Sequence, residues 1–126
     1  GFKVRDYEVD LQGIVNNAFY LHYLEHTRHE FLFSKGIDFA GLHQQGTDLV
    51  VTKSEIEYKF PLKSRDEFIV TLSLRKEGYL KMVFDQKIIR KPDGKTIVIA
   101  SVTGVCLLNG RPVKPESVLN TNVLGI

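Results

Sequence analysis

The alternation of hydrophobic and polar residues predicts one long helix between strand-like segments. Phe2 to Val9 mixes β-branched and aromatic residues with charges at no helical period, which indicates a first strand. From Ala18 to about Ser34, apolar residues recur at intervals of three and four, which predicts a helix of about four and a half turns. Its apolar stripe is broad, and we expect such a helix to be buried in a domain. Gly36 follows as a C-terminal cap.

The rest of the chain alternates with the period of two that is typical of antiparallel strands. A short helix around Phe39 to Gln45 comes first, and residues 114–126 form a short tail. The tetrapeptide Pro92-Asp93-Gly94-Lys95 predicts a hairpin with a tight two-residue turn. The predicted strands are 54–60, 68–77, 80–88 and 96–108.

This order of elements predicts an α+β fold in one domain, residues 1–126, with a five-stranded antiparallel sheet curved around the helix. The long strands leave edges that need protection, and dimerisation would provide it.

Composition, charge and missing motifs argue against several classes of function. The 126 residues carry a formal net charge of +2, too small a bias to argue for nucleic acid or an anionic membrane. No apolar run approaches the roughly 20 residues of a membrane helix, and nothing resembles a signal peptide. We therefore expect a cytoplasmic protein. The sequence also lacks the phosphate-binding, dinucleotide-binding and nucleophile-elbow motifs, which argues against those chemistries.

The strongest candidate chemistry lies where the first strand meets the helix. Asp10 precedes Gly13, and Asn16 or Asn17 can begin the helix. The unpaired backbone N–H groups of a helix N-terminus carry positive charge that could hold an oxyanion. Asp10 could then act on an acyl carbon as general base or nucleophile. The alternative is that Asp10 only supports the turn by hydrogen bonding.

For three further sets of residues we favour a structural role over a chemical one. The string from His22 to His26 matches a zinc-protease motif, but this chain is short for a protease, and no metal is expected. Basic residues near Lys59 could meet phosphates, although interleaved acidic residues are more typical of solvated strand ends. Cys106 lies in an apolar run and is expected to pack as a small buried side chain.

One stretch carries a family resemblance. It resembles the hot-dog-fold acyl-CoA thioesterases of the 4-hydroxybenzoyl-CoA thioesterase type, and it is also similar to the acyl-ACP thioesterases. The residues that carry the resemblance are Tyr7, Asp10, Gly13, Ile14, Val15, Asn16, Asn17, Ala18, Tyr20, Tyr23, Glu25 and Arg28.

The resemblance implies a homodimer or homotetramer that hydrolyses acyl-CoA at a site between subunits, without a cofactor. Asp10 matches the family's reactive Asp, and the N–H groups at residues 14–17 match its oxyanion donors. Glu25 and Arg28 would support the site. The implied catalytic residues are Asp10, Val15, Asn16 and Asn17, and the implied substrate-binding residues are Gly13, Tyr20, Lys59, Lys63 and Arg65.

Departures from the family pattern keep two alternatives open. Asn16 and Asn17 stand where many bacterial members have Tyr and His. Gln12 and Ile14 stand where the acyl-ACP enzymes have Asn and His after the Asp. The resemblance therefore favours acyl-CoA over acyl-ACP as substrate. Acyl-ACP hydrolysis and a non-catalytic acyl-CoA or fatty-acid binding module are the alternatives.

Overall fold

The computed structural model describes residues 2–5 and 17–126, and of Asn17 it describes the backbone alone. A turn of 3-10 helix, Pro115–Ser117, precedes the last helix. No helix among the described residues is long and apolar enough to cross a membrane. The elements in chain order are β1 (Phe2–Lys3), α1 (Asn17–Ser34), α2 (Phe39–Gln44), β2 (Thr47–Tyr58), β3 (Glu67–Glu77), β4 (Lys81–Lys91), β5 (Thr96–Leu108), β6 (Arg111–Val113) and α3 (Thr121–Leu124).

The described strands form one antiparallel sheet in the order β1-β3-β4-β5-β2, and β6 pairs with the end of β5. The sequence pattern predicted five strands, and the described sheet has six. Asn109 and Gly110 both have positive φ, 50° and 81°, and they join β5 to β6 as a two-residue hairpin turn. An Asn-Gly pair is the strongest short signal for such a turn. The short strand β6, which the prediction did not include, therefore precedes the predicted tail.

Strand boundaries also differ from the prediction. β1 ends at Lys3, residues 4–5 are not part of a strand, and the rest of the predicted first strand lies outside the described residues. β2 begins at Thr47 instead of Ser54, because three consecutive apolar residues, 49–51, and a bulge between Val51 and Lys53 hide the period of two. The predicted two-residue turn after β4 is wrong: the loop has four residues, 92–95, and only Gly94 has positive φ. Pro92 has no N–H to donate to the ladder, which favours ending the strand at the preceding residue.

The predicted helix is confirmed, and one of its faces packs against the sheet. Tyr20, Tyr23, Leu24 and Leu32 are buried on that face. The expectation that the broad apolar stripe would be buried holds only in part, because Leu21 is 46% exposed and Phe33 is 74% exposed in the single chain. Gly36 has φ +82°, the left-handed conformation typical of a helix C-terminus.

Two clusters of buried side chains hold α1 over the sheet. In the first core, Tyr20, Tyr23 and Leu24 join Val4, Leu62 and strand residues that include Phe68 and Ile88. In the second core, the C-terminal half of α1 packs through Leu32 on β4 and β5. The remaining buried members of the second core are Met82, Phe84, Val102, Cys106, Leu119 and Leu124. The two clusters fix both ends of α1 relative to the strands.

Candidate functional site

A groove of about 390 Å³ runs between α1 and the edge strand β2. Most of its wall is aliphatic or aromatic, as expected of a site for an apolar ligand. Its polar side chains are Glu25, Arg28 and His29 from α1 and Ser54 from β2. The apolar and glycine residues of the wall are Leu21, Leu24, Leu32, Phe39, Leu49, Val50, Val51, Ile56, Phe84, Val102 and Gly104.

Gln86 anchors the charged side of this groove. This residue of β4 is 1% exposed and points from the sheet toward α1. Its Nε2 donates to the Leu24 carbonyl oxygen at 2.9 Å, and its Oε1 accepts from Nη1 of Arg28 at 3.0 Å. Both polar ends of the buried amide are therefore paired, and the guanidinium is held at a fixed position on the groove wall.

Burial affects the charge of Arg28. It lowers the pKa of the guanidinium from its usual value, while the nearby carboxylate of Glu25 acts in the opposite direction. An arginine side chain remains protonated in proteins, so the groove contains a cation in largely apolar surroundings. A cation in such surroundings interacts more strongly with an anion than it would in water.

Four of the predicted site residues lie outside the described residues: Asp10, Gly13, Val15 and Asn16. Asn17 is the first residue of α1. The helix therefore begins within one residue of the start predicted from Asn16 or Asn17 as its cap. The predicted roles of all five in the reaction stay predictions.

The three predicted phosphate-binding side chains follow β2 in one exposed segment. Lys59 forms an ion pair with Glu57 at 3.2 Å. The backbone N–H of Lys63 donates to the carboxylate of Asp66 at 2.8 Å, and Arg65 has φ +68°. The structure therefore places all three cations at exposed positions in the segment between β2 and β3.

Tyr20 ties this basic segment to the start of α1. Its ring is 3% exposed, and its hydroxyl oxygen accepts the backbone N–H of Leu62 at 2.8 Å. Burial raises the pKa of the hydroxyl, although the bond from Leu62 partly offsets that effect. The structure thus places Tyr20 in the first core, where it positions the loop that carries Lys59, Lys63 and Arg65.

We expect Tyr20→Phe to destabilise the fold by about 1–3 kcal/mol, because it leaves the buried N–H of Leu62 without its acceptor. Urea denaturation measures this effect. Tyr79→Phe is the matched control, since Tyr79 is 80% exposed. An unchanged unfolding free energy together with a raised KM would instead support a direct contact between Tyr20 and substrate.

The histidines of α1, His22, His26 and His29, are exposed in the single chain. His26 lies 4.0 Å from Glu30 and packs edge-on against the Phe2 ring, and the His29 ring lies 5.4 Å from that of Phe39. Within residues 2–5 and 17–126, no group of three or more His, Cys, Asp or Glu side chains is arranged to hold a metal ion. The zinc interpretation therefore gains no support from the described residues.

Cys106 packs in the second core, as predicted. It is 1% exposed, and burial raises the pKa of its thiol to about 11. A thiol with such a pKa is protonated near neutral pH and is a poor nucleophile. Its role is structural.

Gln86 and the Leu49–Val51 wall of the groove are the features that sequence reasoning missed. The signal for Gln86 was present: Met82, Phe84 and Ile88 occupy the inward positions of its strand, and Gln86 is the one polar residue in that series. A polar residue at an inward position needs buried partners. Only the structure shows that those partners belong to α1.

The fold and the groove together define the class of the protein: an α+β domain whose long helix packs on a curled antiparallel sheet. A family model described as the thioesterase-like superfamily matches residues 4–121, and the chain belongs to that superfamily. The predicted hot-dog fold is confirmed by the solved structures that resemble it. One is a hypothetical protein from Aquifex aeolicus, with a TM-score of 0.84 and 31% identity, covering 98% of this chain and 95% of that one.

Several relatives of the chain have assigned activities. The chain is 38% identical over 118 residues to the chloroplastic acyl-acyl carrier protein thioesterase ATL3 of Arabidopsis thaliana, which covers 92% of this chain and 62% of that protein. It is 30% identical over 105 residues to the long-chain acyl-CoA thioesterase FadM of Escherichia coli, covering 83% and 79%. The chain therefore spans less than two thirds of the length of the plant relative.

Proposed function

We propose that the protein is a thioesterase that hydrolyses acyl-CoA to the free acid and CoA. The observation that carries this proposal is the superfamily match over residues 4–121, which includes both Asp10 and α1. The likeness to FadM supports an acyl-CoA substrate. The apolar groove beside α1 is chemically suited to an acyl chain.

In the proposed reaction, Asp10 acts on the thioester carbonyl carbon in one of two ways. As a general base, it takes a proton from water while the water oxygen bonds to that carbon, and the proton then passes to the departing CoA sulfur as the C–S bond breaks. As a nucleophile, its carboxylate displaces the CoA thiolate, and water hydrolyses the resulting anhydride. Backbone N–H groups at residues 14–17 would stabilise the oxyanion in either route.

The side chains of Lys59, Lys63 and Arg65 are proposed to meet the phosphates of CoA. All three are exposed, and they lie in the segment that Tyr20 ties to the first turns of α1. Phosphates bind such cations through charge-assisted hydrogen bonds. The pantetheine arm would then reach inward from the surface toward the N-terminal end of α1.

Hydrolysis of acyl-ACP is the second candidate, and the likeness to ATL3 favours it. Both carriers present the acyl group on a phosphopantetheine arm, so the chemistry at the thioester is shared. CoA and ACP differ in the part of the carrier that lies beyond the phosphate of this arm. The cytoplasmic location expected from the sequence stays a prediction.

A release assay for free thiol tests the proposal. We expect purified protein to hydrolyse at least one member of a panel of short, long and aromatic acyl-CoA esters. Hydrolysis of acyl-ACP alone would favour the second candidate. Binding of these esters without release of thiol would overturn the enzymatic proposal and favour the binding module.

We also propose that two copies pair through β2, which is an edge strand of the described sheet. Val51 and Tyr58 on this strand and Leu21 on the adjacent helix are 55%, 43% and 46% exposed, an apolar surface that a second copy would cover. A homodimer, or a homotetramer built from it, also protects the backbone groups of the strand edge.

Val51→Lys is expected to shift the protein from dimer toward monomer, because it places a charge in the proposed interface. Sedimentation velocity measures the shift. Tyr79→Lys, which makes the same kind of change at a residue 80% exposed in the β3–β4 turn, should leave the dimer intact. A wild-type monomer at micromolar concentration would contradict this proposal.

A further inference from the structure

The Arg28–Gln86 pair holds a guanidinium on the groove wall, and the reaction steps proposed at Asp10 do not involve this group. An α-helix rises 1.5 Å per residue, so Arg28 lies about 16 Å along α1 from its first residue, Asn17. The proposed oxyanion donors are at that N-terminal end. Arg28 is therefore separated along the helix axis from the first residue of α1, and its side chain lies on the wall of the apolar groove.

The guanidinium has donors available for a ligand. An arginine side chain carries five N–H groups, and within residues 2–5 and 17–126 the hydrogen bond to Gln86 uses one of them. Its planar fork matches the two oxygens of a carboxylate, and Gln86 holds that fork in place. A pre-positioned donor loses little conformational freedom on binding.

We propose that the groove between α1 and β2 binds a free, unbranched fatty acid, with its carboxylate on Arg28 and its hydrocarbon chain against the aliphatic wall. The wall and the cation together match the two parts of such a molecule. A neutral hydrocarbon would make no use of the N–H groups of the guanidinium, and a small anion would leave the apolar wall unused.

The proposal deepens the proposed function, since a fatty acid is the product of acyl-CoA hydrolysis. It assigns to the groove a second mode of binding in which no thioester takes part. Glu25 also lines the groove and lies close enough to act on the charge of Arg28, so its carboxylate should oppose the binding of a second anion.

Isothermal titration calorimetry with decanoate and decan-1-ol, without any thioester, tests the proposal. We expect decanoate to bind the wild-type protein once per chain and at least tenfold more tightly than the alcohol, because the charge-assisted hydrogen bonds to Arg28 need the carboxylate. This comparison uses the wild-type protein alone. Equal affinity for acid and alcohol, or no binding of decanoate, would overturn the proposal.

Variants then assign the effect to the named residues. Arg28→Gln should weaken decanoate binding about 10- to 100-fold, and Arg28→Lys should weaken it less because it keeps the charge. Gln86→Met should weaken it through loss of the anchor. Arg111→Gln, which removes one exposed arginine from β6, is the control and should bind decanoate as the wild type does.

The Glu25→Gln variant tests the proposal in the opposite direction, because structural damage would weaken decanoate binding. Removal of the opposing carboxylate should strengthen decanoate binding about two- to fivefold, as expected for a partly screened charge. Unchanged decanoate affinity in Arg28→Gln, with the fold confirmed by circular dichroism, would overturn the proposal. Because none of these titrations depends on thioester hydrolysis, absence of fatty-acid binding and absence of thioesterase activity are separate outcomes.

Discussion

Asp10→Asn is expected to lower kcat for acyl-CoA hydrolysis by at least about 100-fold, and by about 1,000-fold if the carboxylate acts directly on water or on the thioester. Loss of a single oxyanion donor in acyl transfer costs about 10²–10³ in rate, and loss of the base or nucleophile should cost at least as much. Asparagine keeps the size of the side chain but is neither basic nor nucleophilic. The measurement is initial-rate kinetics of thiol release from the best acyl-CoA substrate.

The matched control for this experiment is Asp38→Asn, which makes the same change at an exposed residue just before α2. It should retain the kcat of the wild type. Thermal melts of both variants separate lost chemistry from lost folding. A folded Asp10→Asn protein with wild-type kcat would refute the assignment of Asp10 and leave its turn-supporting role as the better interpretation.

Phe68→Ala is expected to reduce the free energy of unfolding by about 3–5 kcal/mol. Phe68 on β3 is fully buried, its ring stacks on Phe2 at 5.2 Å, and it lies 4.7 Å from the ring of Tyr23 on α1. Truncation removes this apolar contact and leaves a cavity, which costs about that much for a buried phenylalanine. Since domains are stable by only about 5–15 kcal/mol, the loss is a large fraction of the total.

Urea denaturation at equilibrium measures this loss, and Phe33→Ala is the control. Phe33 is on the same helix as Tyr23 but is 74% exposed, so its truncation should change the unfolding free energy by less than about 0.5 kcal/mol. Equal effects of the two substitutions would mean that the first core does not hold α1 on the sheet.

The sequence predicted the elements well where a single local signal dominated. The helix from about Ala18 to Ser34 and the strand from Thr96 to Leu108 both match the structure, because each has an uninterrupted pattern of its own type. The start of β2 was missed because consecutive apolar residues at 49–51 suit either class of structure. The two-residue turn was assigned to Asp93-Gly94 instead of Asn109-Gly110, since both dipeptides carry the same local signal.

The site could be predicted from sequence only where its residues lie close together in the chain. Asp10 and the start of α1 are neighbours in sequence, so one stretch of chain sufficed to propose them as a unit. Gln86 and Arg28 are separated by 58 residues, and the hydrogen bond between them depends on how α1 packs across the sheet. No local pattern contains that information.

Taken by itself, the amino-acid sequence indicated the class of fold and the place of α1 in the chain through hydrophobic periodicity, which is a local property. The residues proposed for thioester hydrolysis came from the family resemblance of one short stretch of chain. Only the tertiary structure decided that Tyr20 supports the basic segment, that Leu21 and Phe33 are exposed in the single chain, and that Gln86 fixes Arg28 on the groove wall. Those outcomes depend on which side chains meet across the packed helix and sheet, and burial is a property of that whole arrangement.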